Sequence, residues 1–313
     1  MRLPIACALA LAAPVAEADG LDLPAPRQSV ETDAATISYY EVGDPEGATV
    51  LFVHGLPFSA YSWRNVLPAM DQDRRLIAVD LVGFGDSTGS GYGVLEQARH
   101  LADFVDALNL EGVTLMGHDW GAGIALIYAA KNPGDVAAFA FTEGAMPPVY
   151  PRPALDEITP ETVANIFRAL REPGLAETNV LADDIWQETI MPTMTLDPLP
   201  DAAVAEYKRP FPTPESRRPL LEMSLTLPIG GEPADVAAAY TDAVAWWTTT
   251  EIPKLVLYAE PGRLFPKRLA EWTQANAETV TIASIGTGAH ALQEDAPGAV
   301  AEGLQAWLDG LSE

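Results

Sequence analysis

Residues 117 to 121 read Gly117-His118-Asp119-Trp120-Gly121, between an apolar β-rich run, Val113 to Met116, and a helical run from Ile124 to Lys131. A Gly-x-acid-x-Gly frame in a strand-turn-helix setting constrains this chain more than any other feature. A turn that sharp forces the central side chain outward, and the flanking glycines let strand and helix approach closely. A serine at the centre would make an esterase. Here the central group is the carboxylate of Asp119, which can displace a leaving group from an sp³ carbon and form an alkyl-enzyme ester that water must then cleave. The plainer use of an Asp before Trp120, as a helix cap, leaves the full glycine frame without a purpose.

The rest of the chain fits such an elbow. Ile37 to Val42, Val50 to Val53, Leu76 to Val79, Val113 to Met116, Val136 to Phe141, Leu255 to Tyr258 and Val280 to Ile285 read as strands, with helical patterns between them. This alternation predicts an α/β fold with a mostly parallel central sheet flanked by helices. Near the end, Pro266 to Asn276 and Gly298 to Leu311 read as helices, the latter with Val300, Leu304 and Leu308 every four residues. From Met146 to about Pro233 the pattern changes to Pro-rich connections and helix-like segments, among them Pro160 to Leu170 and Ala202 to Tyr207. The expectation is a helical cap domain, 147–233, inserted into a core domain formed by 19–146 and 234–313. No internal repeat or low-complexity segment stands out.

The 313 residues carry 44 acidic and 18 basic side chains, a formal net charge of −26. Only Lys131, Lys208, Lys254 and Lys267 are lysines. Nothing tracks a phosphate backbone, so nucleic acid is not expected as a partner, and scattered acids read as a solvated surface rather than a tail. Arg2, the apolar run Ile5 to Val15 and then Ala16-Glu17-Ala18 have the charge, length and small-residue spacing of a cleavable signal, 1–18, which predicts export to the periplasm. That run is too short to span a bilayer, and no later stretch approaches about 18 uncharged apolar residues, so no membrane anchor is expected. The single cysteine, Cys7, falls inside the signal, leaving the mature chain without a disulfide. Too little apolar sequence precedes Cys7 for a lipid attachment.

An ester on Asp119 needs a general base, and the histidines are His54, His100, His118 and His290. His290, in Gly286-Thr287-Gly288-Ala289-His290 just beyond the last strand, follows the nucleophile in chain order and is the best base. The other three read as structural. A third group orients the base and stabilises its charged form. Glu143 and Glu260, each ending a strand, both qualify, although Pro261-Gly262 could make Glu260 a turn residue. In His54-Gly55-Leu56-Pro57 the Leu56 N–H, with that of Trp120, can form an oxyanion hole, though a tight turn would look the same. The Trp120 indole N–H, a donor only, suits a leaving halide in an apolar pocket.

These residues resemble the haloalkane dehalogenases, α/β-hydrolases, over essentially the whole mature chain. The similar segments are His54-Gly55-x-Pro57 with Trp63-Arg64-Asn65, Asp80 to Ser87, the elbow itself, and Thr142-Glu143-Gly144-Ala145-Met146-Pro147. Later come Glu206-Tyr207-Lys208-Arg209-Pro210-Phe211, Leu227-Pro228-Ile229 with Pro233 to Val236, Ile252-Pro253-Lys254 with Ala259 to Gly262, and Ala289-His290 with Gln293-Glu294-Asp295. The elbow alone is shared with epoxide hydrolases; the cap and late segments are more diagnostic. The resemblance implies attack by Asp119 on a halogenated carbon, halide held by Trp120, and water activated by His290. It also implies that the acid follows the strand after the nucleophile helix, which is Glu143 with Glu260 as fallback, and that no cofactor or metal takes part.

One departure matters. The second halide donor in that branch is usually an Asn before the Pro of the early motif, and Leu56 stands there. Losing a hydrogen bond to a charged group costs about 1.5–3 kcal/mol. Other members use a cap Trp, which points to Trp186 as replacement, with plain cap packing as the alternative. Phe167, Met194, Pro228, Leu264 and Ala291 are expected to line the pocket of a small halogenated hydrocarbon. An epoxide hydrolase would use the same acid, base and nucleophile with cap tyrosines, for which Tyr150, Tyr207 and Tyr240 are available. A haloacid dehalogenase would need an Arg where Trp120 stands. A cofactor-free luciferase-like oxygenase, or a binding protein without catalysis, would have little use for Asp119, Glu143 and His290 together.

Overall fold

A computed structural model describes residues 23–311 apart from 159 and 173; the expected signal and its Cys7 lie outside the described residues. The strands are β1 (Gln28–Glu31), β2 (Ala35–Gly43), β3 (Thr49–Val53), β4 (Arg75–Val79), β5 (Thr88–Gly89), β6 (Val113–His118), β7 (Val136–Thr142), β8 (Lys254–Pro261) and β9 (Val280–Gly288). They form one sheet in the order β1-β2-β4-β3-β6-β7-β8-β9, with β5 beside β2. Every pairing from β4 across to β9 is parallel, and those made by β2 are antiparallel. All seven expected strands are present. β1 and β5 add to the seven strands the sequence predicts; Gln28-Ser29-Val30-Glu31 and the two residues of β5 carry no apolar alternation at this edge.

β3 and β6 are buried along their whole length, as central strands covered on both faces must be. The helix α1 (Val94–Ala107) holds His100. The next helix, α2 (Trp120–Lys131), is buried at every position from Trp120 to Ala129, so it is apolar all round and packs between the sheet, α1 and the helix Ala234–Thr249. The chain leaves β3 for β4 on one side and later returns to β6 on the other. The crevice beyond the carboxyl ends of β3 and β6 is where an open α/β sheet places its site, and His54 and Asp119 follow those two ends directly.

Between β7 and β8 the described chain is helical: Glu161–Arg171, Asp201–Lys208 and Arg218–Leu225, with π-helical turns at Thr178–Ala182 and Trp186–Ile190. Among the described residues there, the strand-like pairings are isolated bridges at Ile229. Two ion-pair groups dock this region on the core. Arg64 makes a two-pronged contact with Glu294, at 2.5 and 2.9 Å, and the Tyr207 hydroxyl donates to the same carboxylate. Arg209 grips Asp86 with both Nη atoms, at 2.8 and 2.9 Å. The segments Trp63-Arg64, Asp80 to Ser87, Glu206 to Phe211 and Gln293 to Asp295 therefore meet one another as a clamp rather than at the reacting centre. Among the described residues no helix is long and apolar enough to cross a membrane.

Candidate active site

β6 ends at His118 and α2 begins at Trp120, so Asp119 alone makes the turn, with φ 51° and ψ −123°. A positive φ on a non-glycine residue costs of order 1–3 kcal/mol and persists only where the surroundings fix it. They do so here. Ala122 and Ala145 donate their N–H to the Asp119 carbonyl at 3.2 and 2.8 Å. The flanking glycines have no room for a side chain: a Cβ on Gly117 would stand 2.4 Å from Ala122 Cα, and one on Gly121 2.2 Å from the Val53 carbonyl oxygen. Helix α2 starts at the elbow, four residues before the apolar run suggested, because the turn feeds straight into it.

The two carboxylate oxygens of Asp119 meet different groups. Leu56 donates its backbone N–H to Oδ1 at 3.1 Å, and the Trp120 N–H bonds the same carboxylate. His290 Nε2 lies 3.3 Å from Oδ2. On its far side His290 Nδ1 lies 3.1 Å from Glu143 Oε2. Glu143 is fully buried just after β7, a costly position for a carboxylate without donors. Arg263, Leu264 and Phe265 supply them, each giving a backbone N–H, at 3.1, 2.5 and 3.1 Å. Glu260 is exposed near the end of β8 and touches none of this. Its Pro261-Gly262 neighbours instead lead into the turn whose N–H groups hold Glu143.

Burial alone would raise the Asp119 carboxyl, but the hydrogen bond and charge of His290, with the Trp120 N–H, hold it below the ordinary carboxylate value. Burial likewise disfavours a charged His290; the hydrogen bonds and charges of Asp119 and then Glu143 outweigh it and raise the imidazole to about 9. The resting pair is carboxylate and imidazolium. The remaining histidines are structural. Buried and lowered to about 4, His54 gives its Nδ1 proton to the Gly55 carbonyl and accepts the Leu81 N–H. Burial, and then the charge of His290, lower His118 to about 3; it bonds the His290 carbonyl at 3.0 Å and the Gln293 amide at 3.1 Å, steadying the loop that carries the base. His100 bonds the carbonyls of Ser90 and Gly91.

A cavity of about 150 Å³ stands over Asp119 and His290. Phe167, Met194 and Leu264 line it, with Leu170, Leu227 and Trp186. Pro228 and Ala291 do not, which corrects two expected positions. Leu227 faces the cavity in place of Pro228, whose carbonyl accepts the Arg152 N–H at 2.9 Å, and the Ala291 N–H is taken by the Met194 carbonyl at 2.9 Å. Trp120 is in the wall, its ring edge-on to Tyr150 at 4.7 Å, and among the described residues no protein group accepts from its indole N–H.

Trp186 is placed differently from the expectation that its indole N–H points into the pocket. Its ring lines the cavity, but its indole N–H is donated to Ser224 Oγ at 3.0 Å, and that hydroxyl donates onward to the Leu220 carbonyl. It is not a second halide donor. Trp186→Phe is expected to leave bromide affinity unchanged in a halide titration while lowering stability by about 0.5–1.5 kcal/mol in a denaturant melt. Sequence reasoning also passed over Arg152 and Arg263, which line the cavity beside Tyr150. Arg152 lies in Pro151-Arg152-Pro153, which reads only as a loop, and no spacing rule singles it out.

Residues 48–297 match the family model described as the alpha/beta hydrolase fold. A haloalkane dehalogenase of Mesorhizobium japonicum is 36% identical over 281 residues, 88% of each chain. One of Agrobacterium fabrum is 35% identical, covering 90% of this chain and 91% of its own. Among solved structures, the haloalkane dehalogenase DbeA from Bradyrhizobium elkani aligns with a TM-score of 0.86 at 32% identity, over 91% of this chain and 98% of that one. DatA from Agrobacterium tumefaciens aligns with a TM-score of 0.81 at 35% identity, over 91% and 97%. Likeness of that extent takes in the elbow, the helical region and the late strands alike, and the chain belongs to the haloalkane dehalogenase family of the α/β-hydrolase fold.

Proposed function

We propose that this enzyme hydrolyses the carbon–halogen bond of small haloalkanes through an ester on Asp119, giving an alcohol, a halide and a proton. The observation that carries this is the Asp119 carboxylate itself, with one oxygen on backbone N–H groups, the other beside His290, and a largely apolar cavity above. Oδ2 attacks the halogenated carbon, and the C–O bond forms as the carbon–halogen bond breaks. The halide leaves toward the Trp120 indole N–H. Trp120→Phe is expected to slow bromide release in the first turnover by about ten- to a hundredfold, the equivalent of one hydrogen bond to a charged group, as read by stopped-flow halide detection.

Esterification abolishes the negative charge on Asp119 that, with Glu143, keeps His290 protonated. The imidazole then gives up its proton more readily and becomes the base for a water attacking the ester carbonyl carbon. His290 takes a proton from the water, Oδ1 becomes the oxyanion, facing the N–H groups of Leu56 and Trp120, and Glu143 steadies the imidazolium that re-forms. As the oxyanion collapses the Cγ–Oδ2 bond breaks, the alcohol leaves with Oδ2 and the imidazolium's proton, and the new carboxyl group returns its proton to His290. The sign of the pH dependence follows. Ester hydrolysis needs neutral His290, so its rate rises with pH and levels off below the resting value of about 9. Single-turnover quenched flow across pH measures this, and a plateau reached only above 9 would contradict the charge-release step.

Opening an epoxide calls for hydroxyl acids in the cavity, and of Tyr150, Tyr207 and Tyr240 two are committed elsewhere. Tyr207 serves Glu294 and Arg64, and Tyr240 donates to the Ala145 carbonyl. Only Tyr150 of the three lines the cavity. Bromide release with the matching alcohol from 1-bromobutane, against diol from an epoxide of similar size, tests the assignment. In this reading segment 147–233 is the cap that bounds the cavity. Arg2, the apolar run to Val15 and Ala16-Glu17-Ala18 support export with cleavage after Ala18, which N-terminal sequencing of the periplasmic chain would check.

A further inference from the structure

Two arginines stand in the wall of a cavity that a neutral haloalkane would not need them to line. The guanidinium carbon of Arg152 lies 4.8 Å from the ring centre of Tyr150 and 4.7 Å from that of Phe167, so the cation is held between two aromatic faces. Its Nε is buried without an acceptor, its side chain is hydrogen-bonded to the Tyr150 hydroxyl, and among the described residues it forms no ion pair with a carboxylate. Arg263 is exposed and also lines the cavity, so it marks the mouth. Its Nη1 donates to the Thr193 carbonyl and hydroxyl at 2.7 and 2.6 Å, and it too lacks a carboxylate partner among the described residues. Acids outnumber bases 44 to 18 in this chain; Arg27, Arg64, Arg74, Arg75, Arg209 and Arg217 are in ion pairs, and among the described arginines that are not, Arg152 and Arg263 are the two that line the cavity. Partly desolvating a cation without an anionic partner is unfavourable unless something in the cavity compensates it.

We propose that the preferred substrates are haloalkanes bearing a carboxylate at the end remote from the halogen, bound with that carboxylate on Arg152 and admitted past Arg263. The inference rests on the dehalogenation reading and narrows its substrate class. The rings of Trp120 and Tyr150 lead from the halide donor to the guanidinium, their centres 4.7 Å apart and Tyr150 against Arg152, and Phe167 covers the guanidinium's other side. An acyl tail along that wall meets apolar surface, and its end meets a planar fork that matches a carboxylate. A spacer is required. In an α-haloacid the carboxylate would be next to the carbon that Asp119 attacks, and two like charges would be forced together. The overall negative charge of the chain does not repel such a substrate from a distance, because screening limits exposed charges to about 8 Å at physiological salt, and within that range Arg263 at the mouth is cationic.

The test compares 6-bromohexanoate with its methyl ester, by bromide release, in the wild type, Arg152→Gln and Arg152→Lys, alongside calorimetric binding of hexanoate, which has no halogen. The wild type should favour the carboxylate over the ester at least tenfold in kcat/KM. Arg152→Gln should lower that ratio at least tenfold, mainly through KM, and weaken hexanoate by a similar factor; Arg152→Lys, which keeps the charge, should recover part of both. A wild-type ratio near one, or a ratio unmoved by Arg152→Gln, overturns the proposal, the guanidinium then serving the halide or the fold. Bromide release from the ester without Arg152-dependent binding of hexanoate removes the carboxylate site alone. Arg152-dependent binding of hexanoate with no bromide from either compound removes the dehalogenation reading and leaves an anion site.

Discussion

His290→Phe is expected to stop the enzyme after one chemical event. One equivalent of bromide per chain is released from a bromoalkane, turnover then ceases, and the intact mass rises by that of the alkyl group, with the gain mapped to the peptide holding Asp119. The reason is the division of labour between the two oxygens of Asp119. Attack needs only an ionised carboxylate held by the Leu56 and Trp120 N–H groups, whereas cleavage of the ester needs a base beside it, and His290 is the group 3.3 Å away. Loss of a positioned base typically costs 10²–10⁴ in rate. Phenylalanine fills the imidazole's volume, which limits the cavity left behind. Removing the imidazolium also leaves burial as the main influence on the Asp119 carboxyl, so the trapping is best done above neutral pH. A folded variant that gains no mass from any haloalkane would remove Asp119 from the role of nucleophile.

What could be read from the sequence follows from which interactions are local. Gly117 and Gly121 announced the elbow because backbone crowding there is a property of adjacent residues and of one neighbouring strand. The buried runs of β3 and β6 announced central strands for the same reason. His290 was legible through chain order. The choice between Glu143 and Glu260 was not settled by spacing alone, since both end a strand; it depends on three backbone N–H groups at Arg263, Leu264 and Phe265, more than a hundred residues from Glu143. Trp186 went wrong for a related reason. A motif places an indole in a cap but cannot say where its N–H points, and Ser224 claims it. Arg152 was invisible because its significance lies in what it lacks, a carboxylate, and such an absence can be seen only among neighbours in space.

Glu143→Gln is the sharper test of how the base works, because it changes one oxygen for an NH₂ and nothing else. Oε2 of Glu143 faces the Arg263 and Leu264 N–H groups and His290 Nδ1, while Oε1 faces the Phe265 N–H. Every one of those partners donates when His290 is charged. A glutamine must turn its NH₂ toward one set or the other, so at least one donor loses its acceptor whichever way the amide lies. The first consequence is a loss of about 1–3 kcal/mol of stability, the cost of an unsatisfied buried donor. The second is kinetic. Without a negative partner the imidazolium formed during water attack is less stabilised and its ring less firmly oriented, and steady-state turnover should fall by about 10²–10⁴. The burst of bromide should persist, since Glu143 takes no part in the attack, and the pH at which ester hydrolysis levels off should move down as His290 loses an anion that raises it. A variant that only loosened the fold would lower burst and turnover together and leave that pH where it was. Glu260→Gln, at an exposed position that faces none of these donors, should change neither, and a comparable loss there would mean that the acid had been assigned to the wrong strand end.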